Sequence, residues 1–268
     1  MSLTGKTISS SYKSILRVND NTNGVDTTLE SVTDGEGTAS SISISDDQLK
    51  VQPQNDNVAG TFAVANAGGS NIFSVNANDS PNGVKVGTGQ VYVNTQYAHF
   101  SASYLDAAWS GGLANTHYAV PFNNTTTTSG VIANLGLGTS TDPATSLTIS
   151  DSAMDIVQCY WYVPDNIYVE KVLWWSAGDA ATGDTTRAHL MAYDVVTTAG
   201  GTSGDLSNGY VVAASSDVTN AGYEQAYYNE MTVSVPAIPS GKVALFTFRA
   251  DSVNSDYTIN ATIKYYLY

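Results

Sequence analysis

Thr61-Phe-Ala-Val, Phe73-Ser-Val, Gly83-Val-Lys-Val and Gln90-Val-Tyr-Val decide the fold, together with Ser40-Ser-Ile-Ser-Ile-Ser and Gln48-Leu-Lys-Val upstream of them. In each the apolar residues fall at i and i+2: Ile42/Ile44, Leu49/Val51, Phe62/Val64, Phe73/Val75, Val84/Val86 and Val91/Val93. That period marks half-buried β-strands. The pairs that begin at Phe62, Phe73 and Val84 are spaced by eleven residues, with Asn, Gly, Ser and Asp between them. A short strand-turn unit of this kind cannot bury its own face and must stack on copies of itself, within a chain or between chains. The expected product is a shaft, and a shaft offers no active-site cleft.

Composition narrows the partners. Only 13% of the 268 residues are charged, against roughly a quarter in ordinary soluble domains. The net charge of −14 leaves no basic patch to displace counterions from phosphates, which argues against nucleic acid. It would also repel an anionic membrane surface. No apolar run reaches the length of a membrane-spanning helix, so membrane insertion is not expected. Met1-Ser-Leu-Thr-Gly-Lys lacks the basic-then-apolar pattern of a secretory leader, so synthesis in a cytoplasm without export by the ordinary route is expected. The single cysteine, Cys159, excludes an internal disulfide framework. It sits in Val157-Gln-Cys-Tyr-Trp-Tyr-Val, which alternates like a strand, so a buried structural thiol is expected. Lys6, Lys13 and Arg17 are three of the ten basic residues, and no acidic residue precedes Asp20. They form either a docking arm for an acidic surface or a mildly basic tail.

Four regions follow along the chain: a polar N-terminal region at 1–39, the strand repeat at 40–96, a transitional segment at 97–145, and longer aromatic-rich strands at 146–268. In the last, strands are expected at Ser146–Ile149, Ile156–Val163, Ile167–Trp175, Arg187–Val196, Tyr210–Ala214, Met231–Val235, Lys242–Arg249 and Tyr257–Tyr268. Eight or so strands without a capped, periodic helix predict an antiparallel β-sandwich of jelly-roll type.

Ser9-Ser-Ser-Tyr-Lys-Ser-Ile-Leu-Arg-Val-Asn-Asp, Asp34-Gly-Glu-Gly-Thr, Ser41-Ile-Ser-Ile-Ser-Asp-Asp-Gln-Leu-Lys-Val-Gln-Pro-Gln-Asn-Asp-Asn and Gly60-Thr-Phe-Ala-Val-Ala-Asn-Ala-Gly-Gly-Ser-Asn-Ile-Phe-Ser-Val-Asn resemble the N-terminal module of structural proteins of tailed bacteriophages, those of marine bacteria in particular. The resemblance covers roughly residues 9–100, and the C-terminal part resembles a jelly-roll head in general character only. It implies a virion component, a homotrimeric fibre or fibre-like projection on a tail or capsid. In such proteins an N-terminal region docks on the particle, a β-rich stem intertwines three chains, and a head faces outward.

Signatures of catalysis are sparse. His99, His117 and His189 are scattered, without metal-ligand spacing, and a structural role is expected for each. Gly87-Thr-Gly and Gly136-Leu-Gly lack a following helix and the Lys-Ser/Thr of a phosphate loop. Glycosidase-like carboxylate pairs would be Asp179 with Asp184, or Asp217 with Glu224, all in or beside polar loops where acidic side chains are ordinarily just solvated. Asn19-Asp-Asn-Thr-Asn-Gly-Val-Asp-Thr-Thr-Leu-Glu30 nearly matches a twelve-residue calcium loop, but starts on Asn and lacks flanking helices, so turn formation is the better account. No motif implies a cofactor. The aromatic residues offer more: on a strand, Trp174 and Trp175 must face opposite sides, and so must Tyr227 and Tyr228. One of each pair would then be available for a subunit interface, the preferred role, or for stacking on a host surface glycan. The expectation is thus a non-enzymatic virion structural protein, with a glycan-recognising receptor-binding module or a capsid cement protein as alternatives.

Overall fold

The computed structural model describes residues 15–20, 22–55, 60–77, 83–105, 114–123, 136–149, 154–178, 182–222, 225–251 and 257–268. The chain is all-β, its strands pair antiparallel throughout, and it divides into two compact units, Met1–Val93 and Asn94–Tyr268.

The first unit holds two four-stranded meanders. One is β1 (Arg17–Val18), β2 (Glu30–Thr33), β3 (Ala39–Ile44) and β4 (Leu49–Val51), and the other β5 (Phe62–Ala65), β6 (Asn71–Asn76), β7 (Gly83–Val86) and β8 (Val91–Tyr92). Each strand pairs with the next in sequence because the turn residues between them fold the chain back. Asp34 Oδ1 accepts from the backbone N–H groups of Glu36 (2.9 Å) and Thr38 (2.8 Å). Asn66 Oδ1 does the same for Ser70 at 2.9 Å, and Gly69 supplies the left-handed φ of 83° that the β5–β6 turn requires.

The second unit is built from β9 (Thr95–Leu105), β10 (Tyr118–Ala119), β11 (Trp161–Val163), β12 (Ile167–Gly178), β13 (Thr185–Val195), β14 (Leu206–Ala214), β15 (Val218–Thr219), β16 (Gln225–Glu230), β17 (Thr232–Val233), β18 (Ala237–Ile238), β19 (Lys242–Ala250) and β20 (Tyr257–Leu267). Seven strands form a sheet ordered β10-β19-β13-β14-β17, with β11 on β19 and β15 on β13. Five form a sheet ordered β16-β12-β20-β9, with β18 on β12. Alternation along the strands sends one set of side chains inward, and the two sheets share one core that includes Phe100, Val172, Trp174, Ile263, Leu190, Phe246 and Phe248. The strand β9 and the short β10 belong to this sandwich, so it draws in residues that the sequence set apart as a transition.

The outer face of the seven-stranded sheet is covered as well. Leu137, Leu147, Ile156 and Cys159 come from irregular chain and pack on Met191, Tyr193, Val243 and Leu245 to make a second core. This corrects the expected strand over Ile156–Val163. Met154–Cys159 is a 3-10 turn and only Trp161–Val163 is strand. The 3-10 period brings Ile156 and Cys159, three apart, to the same side, where both are buried while Val157 between them is 57% exposed. Cys159 is thus the buried thiol expected, on a different backbone. The expected strand at Ser146–Ile149 reduces to a single bridge between Leu147 and Leu206. Met231–Val235 reduces to β17.

Tyr193 anchors this covering layer. Its hydroxyl donates to Ala144 O at 2.9 Å, and its ring lies over Gly209, where a methyl group would come within 2.3 Å of Cε1. A buried ring held at both ends cannot give way easily. Gly209→Ala is expected to destabilise the sandwich by about 1–3 kcal/mol, read as a lowered midpoint in chemical denaturation.

Candidate functional site

The strongest candidate surface lies in the first unit. Register in the second meander aligns Phe62 with Val75 and Val84, and Val64 with Phe73, Val86 and Val91. Phe62, Val64, Phe73, Val75, Val84, Val86 and Val91 therefore share one face, with Phe62 and Phe73 in edge contact at 6.1 Å between ring centroids. Among the described residues no second layer covers that face: Phe62 and Val64 are each 45% exposed, and Val86, Val91 and Val93 are exposed also. The one buried residue of the described β5–β8 strands is on the polar side. There Ser74 is buried and donates to Gln90 Oε1 at 2.7 Å, Gln90 Nε2 donates to Asn71 O and Gly87 O at 2.8 Å, and the Lys85 ammonium sits 4.5 Å from the centre of the Tyr92 ring. Gln90 is held at a φ of 50° by these bonds. The first meander repeats the design, since register places Ile42, Ile44, Leu49 and Val51 together, with Leu49 71% exposed. An apolar face left open on a chain of low charge marks an association surface.

A second surface is the outer face of the five-stranded sheet. Trp174 is 1% exposed and its neighbour Trp175 50%, so the expected split holds. Tyr227 and Tyr228 split likewise. Tyr227 is half-buried and its hydroxyl accepts from Ala221 N–H and donates to Gln225 Oε1, each at 2.7 Å, while Tyr228 is exposed. Trp175 and Tyr228 face each other across β12 and β16 with ring centroids 5.2 Å apart. On the other side of Trp175 the row continues through Asn260 to Ser101, and the next row carries Leu173, Thr262 and His99. His99 Nδ1 lies 3.2 Å from Thr262 Oγ1. The charges here are matched: Lys171 with Glu230 at 3.0 Å, Lys264 with Glu170 at 2.8 Å. The result is an aromatic platform edged by the hydrogen-bonding groups of Asn260, Ser101 and Thr262.

His117 and His189, scattered in sequence, meet beneath the covering layer with ring centroids 5.0 Å apart, both buried. His117 Nε2 lies 3.0 Å from Ser140 O, which makes that nitrogen the donor, and His189 Nε2 lies 3.3 Å from Asp142 Oδ1. Burial drives both pKa values down. The His117 charge depresses His189 further, partly offset by Asp142, to about 4, and Arg249 and Arg187 also disfavour protonation of His117. The pair is neutral at neutral pH. No sequence spacing signals it, because the two meet only through the pairing of β10 and β13 with β19.

The remaining candidates separate. Asp20 Oδ1 accepts from Thr22 N–H at 2.6 Å and Asn23 N–H at 3.2 Å, and Asp26 Oδ1 from Thr28 N–H at 2.7 Å, so the Asn19–Glu30 segment spends these carboxylates on its own turns. Those bonds hold Asp20 below its usual range. Glu30 opens β2. Asp217 pairs with Arg187 at 2.7 Å. Asp179, Glu224, Lys6 and Lys13 lie outside the described residues, and Arg17 is half-buried in β1 opposite Thr33. Among the described residues, a cleft is lined by Gln96, Trp161, Asp165 and Tyr265, with Asp165 its carboxylate. Among the described residues no three His, Cys, Asp or Glu side chains group as metal ligands, and no helix is long and apolar enough to cross a membrane.

No protein-family model matches the chain, and no curated protein sequence is significantly similar to it.

Proposed function

We propose that this chain is a non-enzymatic virion structural protein, a homotrimeric fibre-like projection of a tailed bacteriophage, made in the host cytoplasm and carried on the tail or capsid. The observation that carries this reading is the open apolar face on each of two successive meanders. A sheet with one apolar face buries it against another element, and copies of the same chain supply it. In this reading residues 1–39, with Lys6, Lys13 and Arg17, attach to other virion proteins, residues 40–96 form the stem, and the sandwich is an outward head of jelly-roll type. The resemblance of residues 9–100 to phage structural proteins supports the viral setting.

Lys6→Glu with Lys13→Glu in the full-length chain tests the division of labour, because deletion of 1–39 would also remove β1 and β2 from the first meander. The variant is expected to be lost from purified virions. Its retention at wild-type copy number would refute attachment through these basic residues.

The Trp175–Tyr228 platform supports a second role for the same head, recognition of a host surface glycan. Aromatic faces stack on the apolar faces of sugars, and Asn260, Ser101 and Thr262 supply neutral hydrogen-bonding partners for hydroxyl groups. Trp175→Ala would then abolish glycan binding on an array without changing assembly.

A further inference from the structure

The structure assigns the mode of self-association: we infer that three copies of this chain turn the apolar sides of β5–β8 towards a common axis and pack there, without exchanging strands. The inference rests on the assembly reading above and specifies its contact. Pairing from β5 through β8 is closed within one chain, by three consecutive hairpin registers. The inner strands β6 and β7 therefore have no ladder positions left for a partner, and what the meander leaves unsatisfied is a surface.

That surface is Phe62, Val64, Phe73, Val75, Val84, Val86 and Val91, seven apolar side chains in register. It holds no charge, although the chain carries −14 overall, so like-charge repulsion between copies is kept off the contact. A foreign partner is recognised by charge and hydrogen-bond pattern, and these side chains present neither. A Val-rich pleated face is complementary in shape and polarity to another copy of itself. Partial exposure of its members sums to roughly 400 Å² per chain, the size of the largest apolar patch on a typical monomer. Covering it against a copy, together with the matching face of Ile42, Ile44, Leu49 and Val51, approaches the roughly 800 Å² per partner of a standard interface. The opposite side carries Gln90, Lys85 and Tyr92, whose polar groups are engaged within the chain, so it is the outward one.

Two engineered cysteines test this, since the only native thiol, Cys159, is buried. In full-length protein under mild oxidation, Val86→Cys is expected to give an interchain disulfide on a denaturing gel, and Ala63→Cys, on the polar side, to stay reduced. In parallel, Val64→Asp with Val86→Asp is expected to lower the solution mass to that of one chain, while Lys85→Asp leaves it unchanged. An oligomeric wild type in which Val86→Cys stays reduced and the double Asp variant keeps its mass would overturn this apolar contact, in favour of edge pairing through β5 or β8, and leave the assembly reading standing. A wild type that is itself monomeric would overturn both.

Discussion

Trp174→Ala is expected to cost about 3–5 kcal/mol of stability, while Trp175→Ala, one residue further along the same strand, is expected to cost no more than about 1 kcal/mol. The difference follows from the pleat of β12 alone. Trp174 is among the largest fully buried side chains and lies 6.4 Å and 6.2 Å, ring to ring, from Phe246 and Phe248 of the opposite sheet. Its removal leaves a cavity between the two sheets that their close-packed side chains cannot refill. Trp175 loses one tilted contact with Tyr228 and exposes little that was dry. Guanidinium denaturation of the two full-length variants measures both. Equal losses would mean that β12 does not sit in this register.

Acidification is expected to remove stability on the order of 3 kcal/mol between about pH 6.5 and pH 4, through His189. Its folded pKa is depressed from 6.5 to about 4, first by burial and then by the neighbouring His117. Over that interval the unfolded chain binds a proton that the folded chain refuses. Stability is therefore fully present above the ordinary imidazole range and falls as pH drops towards the folded value. His117, depressed for the same first reason, adds to the slope. Arg187 and Arg249 oppose added positive charge from β13 and β19, and Asp142 is the acidic group that favours it. Asp194, held low by its bonds to Lys242 and Asn208, loses its contribution only below the carboxylate range, so the two windows separate. Thermal denaturation at intervals from pH 7 to pH 4 should show the decline in wild type and a flattened profile in His117→Asn with His189→Asn. An unchanged slope in the double variant would place the acid sensitivity elsewhere.

Period-two alternation made much of the fold legible. It located β3 to β8, and in the sandwich it identified β12, β13, β19 and β20 and separated Trp174 from Trp175 before any register was known. It failed where the backbone leaves the strand. Ile156 and Cys159 are spaced three apart, and neighbouring alternate residues disguised a 3-10 turn as strand. Leu137 and Leu147 are isolated apolar residues in polar loops, and nothing local shows that they close a second core. The His117–His189 pair was illegible for a different reason, because it depends on β19 lying between β10 and β13. For the candidate surfaces, the i, i+2 pairs named the residues, and the hairpin registers then placed them on one face. That this face is the open one follows from the bonding of Ser74 and Gln90 on the other side, a contact sixteen residues apart.

Light scattering on the purified full-length chain separates the trimer from a lone chain. The trimer is expected at a mass near three times 28.2 kDa, roughly 85 kDa, at micromolar concentration. A mass of 28.2 kDa under the same conditions would contradict it, because the apolar faces of both meanders would then be standing open in water.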